Sequence, residues 1–320
     1  MTKSTIVIPN YNGMKYIGNC LASLYENSLV EFDVIVVDNA SNDGSLAYIR
    51  EKFPQVKVIC NEKNEGFSVA VNQGIKASRT EYVILLNNDT CADRNFVVEL
   101  EKAMEKDEAV FSAGAKLISM KDMESLDDAG DYYCALGWAF ARGKGKKAQK
   151  FTKSCPVFAS CAGAAIYRKS ILDKIGLFDE AHFAYFEDID IGYRARINGY
   201  KNVFVPTAVV YHAGSATSGS RYNEFKTNLA SRNSVYLIYK NMPFLQVLLN
   251  LPFLLLGFLI KTAFFFLKGY GVTYVKGLWK GVLLSAGEEG KRHKVRFHWK
   301  NMGHYVRIQL ELWLNIFRIF

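Results

Sequence analysis

The chain has 320 residues, half of them apolar and 22% charged, which excludes an intrinsically disordered chain and suits one large domain with an appendage, or two domains. Its net charge of +9 is concentrated at one end: from Asn241 onward 11 basic residues stand against 3 acidic ones, so the tail is the partner-seeking region. The aromatic and aliphatic richness of that tail points to anionic lipid ahead of nucleic acid.

Strands and helices alternate at the start. Thr5–Pro9, Phe32–Val37, Val56–Ile59 and Tyr82–Leu86 read as strands, nearly continuous in apolar residues as in a sheet buried on both faces. Ile17, Cys20, Leu21 and Leu24 share one face of a helix over 14–27. Ala47, Ile49 and Phe53 mark a shorter helix, Val69, Val71 and Ile75 a third, and Phe96, Val97, Leu100 and Met104 a fourth. The spacing predicts an α/β fold with parallel strands and right-handed crossovers. Each strand ends in a polar cluster: Asn10-Tyr11-Asn12, Asp38-Asn39, Asn61-Glu62 and Asn87-Asn88-Asp89. Ligands of open α/β sheets bind beyond the carboxyl ends of the strands, so these clusters are expected to meet in one crevice. A carboxylate among amides there suits a divalent metal carrying a diphosphate.

After residue 107 the pattern loosens. Ala109–Ile118 reads as a strand, 119–150 as a polar stretch ending in the basic loop 142–147, and Ser160–Tyr167 as another strand. Glu187, Asp188 and Asp190 open a helix running to Asn198-Gly199, followed by two short strands, Val203–Val205 and Val209–His212. The six cysteines lie far apart without a C-x-x-C, and Met1 runs into the first strand without an apolar leader. Both features lead us to expect a reduced, cytosol-facing protein.

From Pro243 to Leu267 the chain is strongly apolar but contains Asn250, Pro252 and Lys261. A lysine near mid-span costs about 2.5–3.5 kcal/mol on insertion scales, which favours a helix or helical hairpin lying in the membrane interface over a span. Val306, Leu310, Trp313, Phe317 and Phe320 follow helical spacing opposite Arg307, Glu311, Asn315 and Arg318, and 291–296 is a basic cluster suited to lipid headgroups. The expected division is a catalytic domain over 1–240 and a helical, membrane-associating region over 241–320. The competing expectation has the tail folded onto the α/β body or onto a second protomer of a homo-oligomer.

Six motifs in order carry a resemblance: Ile8–Gly13, Val37–Ser45, Asn64–Phe67 with Asn72, Leu86–Thr90, Phe186–Asp188 and His212-x-Gly214. Together they resemble family 2 glycosyltransferases of the GT-A fold, and within them the rhamnosyltransferase-like enzymes of bacterial surface polysaccharide assembly, over about residues 4–240. The resemblance implies a Rossmann-like, mostly parallel sheet flanked by helices. It implies that Pro9, Asn10 and Tyr11 line the base and ribose site, with Asp38 accepting from a pyrimidine N–H and Asn64, Gly66 and Asn72 shaping the pocket. Asn87-Asn88-Asp89 stands in the place of the family's Asp-x-Asp motif, with Asn87 replacing the first acid. Asp89 is then the direct ligand of Mn2+ or Mg2+, and His212 completes the shell.

In that resemblance the second acid of the pair Glu187-Asp188 is the general base. Asp188 takes the proton of an acceptor hydroxyl as it attacks the anomeric carbon, and one displacement inverts the configuration. Gly163, Ala164, Tyr185 and Phe186 are expected at the acceptor, and Asp190 is expected either to hold the acceptor or to orient the neighbouring backbone. The implied donor is a nucleotide sugar, dTDP-L-rhamnose first and UDP-sugars next. The implied acceptor is a lipid-linked glycan at the cytoplasmic face of the membrane. A sugar nucleotidyltransferase would be expected to carry a Gly-rich, basic loop after the first strand, where this chain has Asn10–Gly13 without an arginine. A non-catalytic nucleotide-sugar-binding protein is the third reading, disfavoured by intact Asp89, Asp188 and His212.

Overall fold

The computed structural model describes residues 2–214 and 222–319. The strands are β1 (Ser4–Asn10), β2 (Asp33–Asp38), β3 (Lys57–Cys60), β4 (Tyr82–Leu86), β5 (Thr90–Ala92), β6 (Val110–Ser119), β7 (Leu126–Asp128), β8 (Asp131–Tyr133), β9 (Ala139–Ala141), β10 (Cys155–Val157), β11 (Ala164–Arg168) and β12 (Lys201–His212). The helices are α1 (Met14–Asn27), α2 (Ser45–Lys52), α3 (Phe67–Ala77), α4 (Phe96–Glu105), α5 (Lys169–Ile175), α6 (Glu187–Ile197), α7 (Glu224–Asn241), α8 (Phe244–Leu267), α9 (Gly271–Ala286), α10 (Glu288–His293) and α11 (Met302–Leu314).

The main sheet runs β10-β12-β6-β11-β4-β1-β2-β3. The pairings β1–β2, β1–β4, β2–β3 and β6–β12 are parallel, whereas β11 lies antiparallel to both β4 and β6. Apolar side chains from the two faces build separate cores, one around Ile6, Ile8 and Ile84, the other around Val7, Val37 and Val83. This period-two division is what continuous apolar strands produce in a sheet covered on both sides. After β1 the chain crosses to β2 and β3 on one side, and then to β4 on the other. The crevice at that switch point opens between the carboxyl ends of β1 and β4.

Three sequence expectations change here. The two short strands over 203–212 are one strand, β12, with an irregularity between Val205 and Val209. The stretch 119–150, read as polar, contains β7, β8 and β9 and the buried residues Leu126, Ala129, Tyr133 and Ala135. Its short strands, broken by turns, leave no run long enough to carry a period. The strand expected from Ser160 begins only at Ala164.

The tail is built with polar and small side chains turned inward. In α8 the buried positions are Gln246, Asn250, Leu254 and Gly257. Leu248, Leu255, Leu256 and Leu259 face outward, Leu259 being 67% exposed. Gln246 accepts from the Tyr193 hydroxyl at 2.8 Å, and Asn250 exchanges hydrogen bonds of 2.8 Å with Gln309 of α11. Lys261 places its ammonium 5.4 Å from the centre of the Trp138 ring. The expected penalty for a lysine in lipid is thus reduced, because that side chain turns to the protein.

In α9 the buried positions are Gly271, Tyr274, Gly277, Gly281 and Ser285, and α9 lies along α7. In α11 most of the expected apolar face is exposed, with Val306 at 50% and Phe317, just beyond the helix, at 80%, but Trp313 packs on the core and donates to Asn250 Oδ1 at 3.1 Å; Phe320 lies outside the described residues. On the opposite side Arg307 and Arg318 are exposed, whereas Glu311 and Asn315 turn inward. Tyr305, Ile308 and Leu312 pack into a core shared with Tyr133, Phe158 and Tyr193, Glu311 pairs with Arg196, and the Asn315 side chain donates to the Tyr133 carbonyl at 2.8 Å. Among the described residues one helix, Phe244–Leu267, is long and apolar enough to cross a membrane.

Candidate functional site

At the switch point, Asn10 ends β1 and its side chain ties the crevice together. Its amide donates to Asp38 Oδ1 at 2.8 Å and to Ser45 Oγ at 3.0 Å, while its carbonyl accepts from Asn88 Nδ2 at 2.8 Å. Asp38 Oδ2 accepts from the Ser41 backbone N–H at 2.9 Å. Asp38 therefore holds the loop after β2 as well as lining the crevice. Tyr11 stands at the mouth, 37% exposed, and Pro9 is half-buried within β1. Asn64 Oδ1 accepts from Gly66 N at 3.0 Å, and Asn39 donates to the Gly66 carbonyl at 3.1 Å. Gly66 has φ +90°, and a Cβ there would lie 2.6 Å from the Phe183 ring, so glycine is required on both counts.

Asn72 departs from its expected place. Its amide donates to the Phe178 carbonyl at 2.8 Å and to Glu180 Oε1 at 2.9 Å, and its carbonyl accepts from Phe178 N at 3.1 Å. Buried and fully engaged, it clamps the segment before α6 and leaves nothing for a nucleotide.

The next cluster arises from sheet register. β5 pairs antiparallel with β12, setting Thr90 opposite His212, and Ala213 N donates to the Asp89 carbonyl at 3.0 Å. That pairing brings Asp89, at the end of the β4 loop, against a histidine more than a hundred residues away. Asp89 Oδ1 lies 3.3 Å from His212 Nε2, and Asp127 Oδ2 lies 2.6 Å from His212 Nδ1. Lys144 of the basic loop pairs with the other oxygen of Asp127. Burial opposes a charge on His212, but its hydrogen bonds to Asp127 and Asp89 prevail and raise its pKa to about 9. Burial acts on Asp127 in the opposite sense to its partners, and His212 and Lys144 hold it well below the usual carboxylate range.

This donor set fits a divalent cation. A carboxylate and an imidazole nitrogen already stand at the separation of neighbouring ligands, and the second ring nitrogen is held by a carboxylate, as metal-ligating histidines usually are. Asn87 and Asn88 flank Asp89. Asn87 N donates to the Gly163 carbonyl at 2.9 Å, and a Cβ on Gly163 would sit 3.0 Å from Asn87 Nδ2. Gly163 thus meets this cluster, whereas Ala164 is fully buried within β11 and its methyl belongs to the core beneath the sheet.

A third group surrounds the start of α6. Phe183, Tyr185 and Phe186 all have positive φ, at 61°, 69° and 71°, conformations that cost non-glycine residues of order 1–3 kcal/mol each and persist only where the surroundings enforce them. The enforcement comes from α7. Asn233 Nδ2 reaches the carbonyls of His182, Ala184 and Tyr185 at 2.7–2.9 Å, and Arg232 Nη2 those of Ala181 and His182 at 2.7 and 2.9 Å. Half-buried Asp188 follows this loop. Burial raises its pKa, offset by the N–H groups of Ile189 and Ala162 and by the Asp131 side chain, leaving it at about 6. Glu187 is buried beside it and is raised far above the usual range by burial and by Asp188.

Of the two roles expected for Asp190, contact with an acceptor does not fit its surroundings. It is fully buried, with Lys240 Nζ at 2.8 Å, Arg194 Nε at 3.0 Å and Asn241 Nδ2 at 2.8 Å. Burial alone would raise its pKa, but Lys240 and Arg194 prevail and hold it well below the usual range. Asp190 is a structural anchor beneath α6, with no oxygen left for an acceptor. The same Lys240 pairs with Asp179 at 2.6 Å.

Sequence reasoning missed Asp127, Asp128 and Asp131, which bring further carboxylates to this place, and Arg232 and Asn233, which hold the loop. A cluster of acids among small residues, Leu126-Asp127-Asp128-Ala129-Gly130-Asp131, was the available signal for the first three. Nothing in the local pattern marks the other two, whose partners are backbone carbonyls distant in sequence.

A sequence model of glycosyl transferase family 2 matches residues 5–176. The chain is 25% identical over 237 residues to an N-acetylglucosaminyl-diphospho-decaprenol L-rhamnosyltransferase of Mycobacterium tuberculosis, covering 67% of this chain and 77% of that protein. It is 25% identical over 243 residues to the uncharacterized glycosyltransferase YwdF of Bacillus subtilis, covering 73% and 85%. Among solved structures, TarS 1–349 of S. aureus in complex with UDP-GlcNAc aligns with a TM-score of 0.59 at 18% identity, over 91% of this chain and 83% of that one. GalNAc-T7 with UDP, GalNAc and Mn2+ aligns at 0.61 and 17%, over 75% of this chain and 48% of the other. The family match covers more than half of the residues, and its limits enclose the crevice built by Asn10, Asp38 and Asn88: this chain belongs to glycosyl transferase family 2.

Proposed function

We propose that the protein is an inverting, metal-dependent glycosyltransferase that moves a sugar from a nucleoside diphosphate to a hydroxyl of a lipid-linked glycan at the cytoplasmic membrane surface. The observation that carries this reading is the meeting of Asp89 and His212 at 3.3 Å, with Asp127 behind the imidazole. In this reading Asp89 and His212 hold Mn2+ or Mg2+, and Asn10, Tyr11 and Asp38 receive the nucleoside. A bound cation offsets the charge that develops on the departing diphosphate. Asp127 orients His212 so that Nε2 faces Asp89. Asp188, an anion above pH about 6, accepts the proton of the attacking hydroxyl, a role that needs a single base and no second carboxylate nucleophile. The loop held by Asn233, with Tyr185 and Phe186, borders the acceptor.

The likeness to an L-rhamnosyltransferase supports an L-rhamnosyl donor, which we take as dTDP-L-rhamnose, with UDP-sugars as alternatives. The diphospho-decaprenol acceptor of that relative also supports a diphospho-lipid acceptor here. The outward apolar faces of α8, α9 and α11, beside the basic residues of 291–296, support membrane contact. The test is nucleoside diphosphate release from a panel of dTDP-, UDP- and GDP-sugars with Mn2+ and a membrane lipid extract. Release that needs both donor and acceptor, and is lost on Asp188→Asn, supports the proposal. Pyrophosphate release would support nucleotidyl transfer, and donor binding without turnover would support a sensor; either would overturn it.

A further inference from the structure

The basic loop after β9 delivers one side chain to the Asp89–His212 cluster. Lys146 N donates to the Gly143 carbonyl at 2.9 Å, closing a turn with Lys144 and Gly145 at its corners. Gly145 has φ +76°, the left-handed conformation that the third position of such a turn takes. The turn is fastened to β7 on both sides of its chain. Gly145 N donates to the Leu126 carbonyl at 2.8 Å, and Leu126 N donates to the Lys146 carbonyl at 2.8 Å. Gly143 has φ +75°, and a Cβ there would lie 2.2 Å from the Phe151 ring and 2.8 Å from the Leu126 side chain, so the turn closes this tightly only with glycine.

Leu126 is the residue before Asp127. The fastening therefore sets the Lys144 ammonium on one oxygen of Asp127, while the other oxygen holds His212 Nδ1 at 2.6 Å. The other cations of the loop are spent elsewhere. The Arg142 guanidinium lies over the Phe151 and Phe204 rings, at 4.9 and 5.2 Å from their centres, and Lys146 and Lys147 are exposed. The Lys144 side chain is itself 53% exposed, so its pair with Asp127 adds little to stability. Its effect falls on the charge of the cluster. The carboxylates of Asp89 and Asp127 together match the charge of a divalent cation, and Asn87 and Asn88 add none. Lys144 is the group that leaves the balance positive. We propose that Lys144 binds the diphosphate of the donor, its ammonium donating to the phosphate oxygens.

Lys144 has this role only if Asp89 and His212 hold the metal, the reading proposed above. Transfer breaks the bond between the anomeric carbon and the diphosphate oxygen. That oxygen keeps the electron pair, the acceptor oxygen takes its place on carbon, and the acceptor proton passes to Asp188. The diphosphate gains one negative charge, so a cation in contact with it is worth more after the step than before it. Asp127 keeps the ammonium at the cluster beforehand, which lowers the cost of ordering a long side chain on binding.

The experiment measures, by calorimetry on the full chain, the affinity for dTDP, UDP and GDP at saturating Mn2+, and the affinity for Mn2+ alone. It uses wild type, Lys144→Gln, Lys144→Arg and Asp89→Ala, each first shown to be folded by its thermal transition. Lys144→Gln keeps the length of the side chain and loses its charge. It is expected to weaken binding of the preferred nucleoside diphosphate about tenfold, the scale of one hydrogen bond between charged groups, and to leave the affinity for Mn2+ alone unchanged. Lys144→Arg is expected to keep most of the affinity. Unchanged diphosphate affinity in Lys144→Gln would overturn the proposal. So would an equal loss of affinity for Mn2+ alone, since Lys144 would then only support Asp127. Asp89→Ala that binds as tightly as wild type, or a wild type that binds none of the three nucleotides, would instead sink the metal-site reading, and this role of Lys144 with it.

Discussion

The carboxylate of Asp127 stands 2.6 Å from His212 Nδ1, and the same imidazole turns Nε2 to within 3.3 Å of Asp89. The first contact fixes what the second can do, because a histidine bound through one nitrogen presents the other in a set direction. Asp127→Ala should therefore lower Mn2+ affinity by about 10–100-fold, the range for loss of a carboxylate behind a metal-bound histidine. Calorimetric titration of Mn2+ in the presence of nucleoside diphosphate reads this directly, and an unchanged affinity would detach Asp127 from the site.

Asn233 should govern both stability and turnover. Its side-chain amide satisfies carbonyls in the loop with three positive-φ residues. Asn233→Ala removes its donor from these carbonyls, at about 1–3 kcal/mol. Denaturant unfolding should show that loss. Because the loop leads into Asp188, kcat should fall more than KM rises. An effect confined to stability would mean that the loop reforms without its clamp.

The network beneath α6 predicts an acid limit to stability. The folded-state pKa values of Asp190 and Asp179 are depressed, so their contribution is fully present above the unfolded value, about 3.9. It is lost as pH falls below that value toward the folded-state one. Lys240→Ala removes the cation both acids share and should cost about 3–5 kcal/mol, the range for breaking a buried pair. Unfolding midpoints at pH 7 and about pH 2.5 check the claim: the variant should lose most at pH 7, and equal losses at both pH values would contradict it.

Membrane contact should depend on the outward face of α8. Leu256→Glu and Leu259→Glu place charge where the side chains are exposed, so they should reduce co-sedimentation with vesicles containing anionic lipid and leave the thermal transition nearly unchanged. High salt should weaken wild-type binding without abolishing it, since apolar burial and basic attraction both contribute. Unaltered sedimentation of the double variant would place the contact elsewhere.

Much of the sheet was legible because β1, β2 and β4 are unbroken apolar runs with polar ends, and those ends are what a switch-point crevice needs. The convergence of Asp89 and His212 was readable only through resemblance; its physical cause is the β5–β12 register, which no local period encodes. Asp190 and Asn72 were misplaced for one reason. A polar residue beside a site looks the same in sequence whether it faces a ligand or is spent on buried lysine, arginine or backbone partners. The tail's composition suggested lipid, but the inward turn of Asn250, Gln246 and Lys261 became visible only once their partners Gln309, Tyr193 and Trp138 were in place.

The most direct measurement is the affinity of Mn2+ with nucleoside diphosphate, by calorimetry, for wild type, Asp89→Ala, His212→Ala and Asp188→Asn. A shared cation held by Asp89 and His212 predicts that the first two variants lose affinity together while Asp188→Asn binds as wild type yet does not turn over. Full affinity in His212→Ala, or loss of binding in Asp188→Asn, would contradict the account.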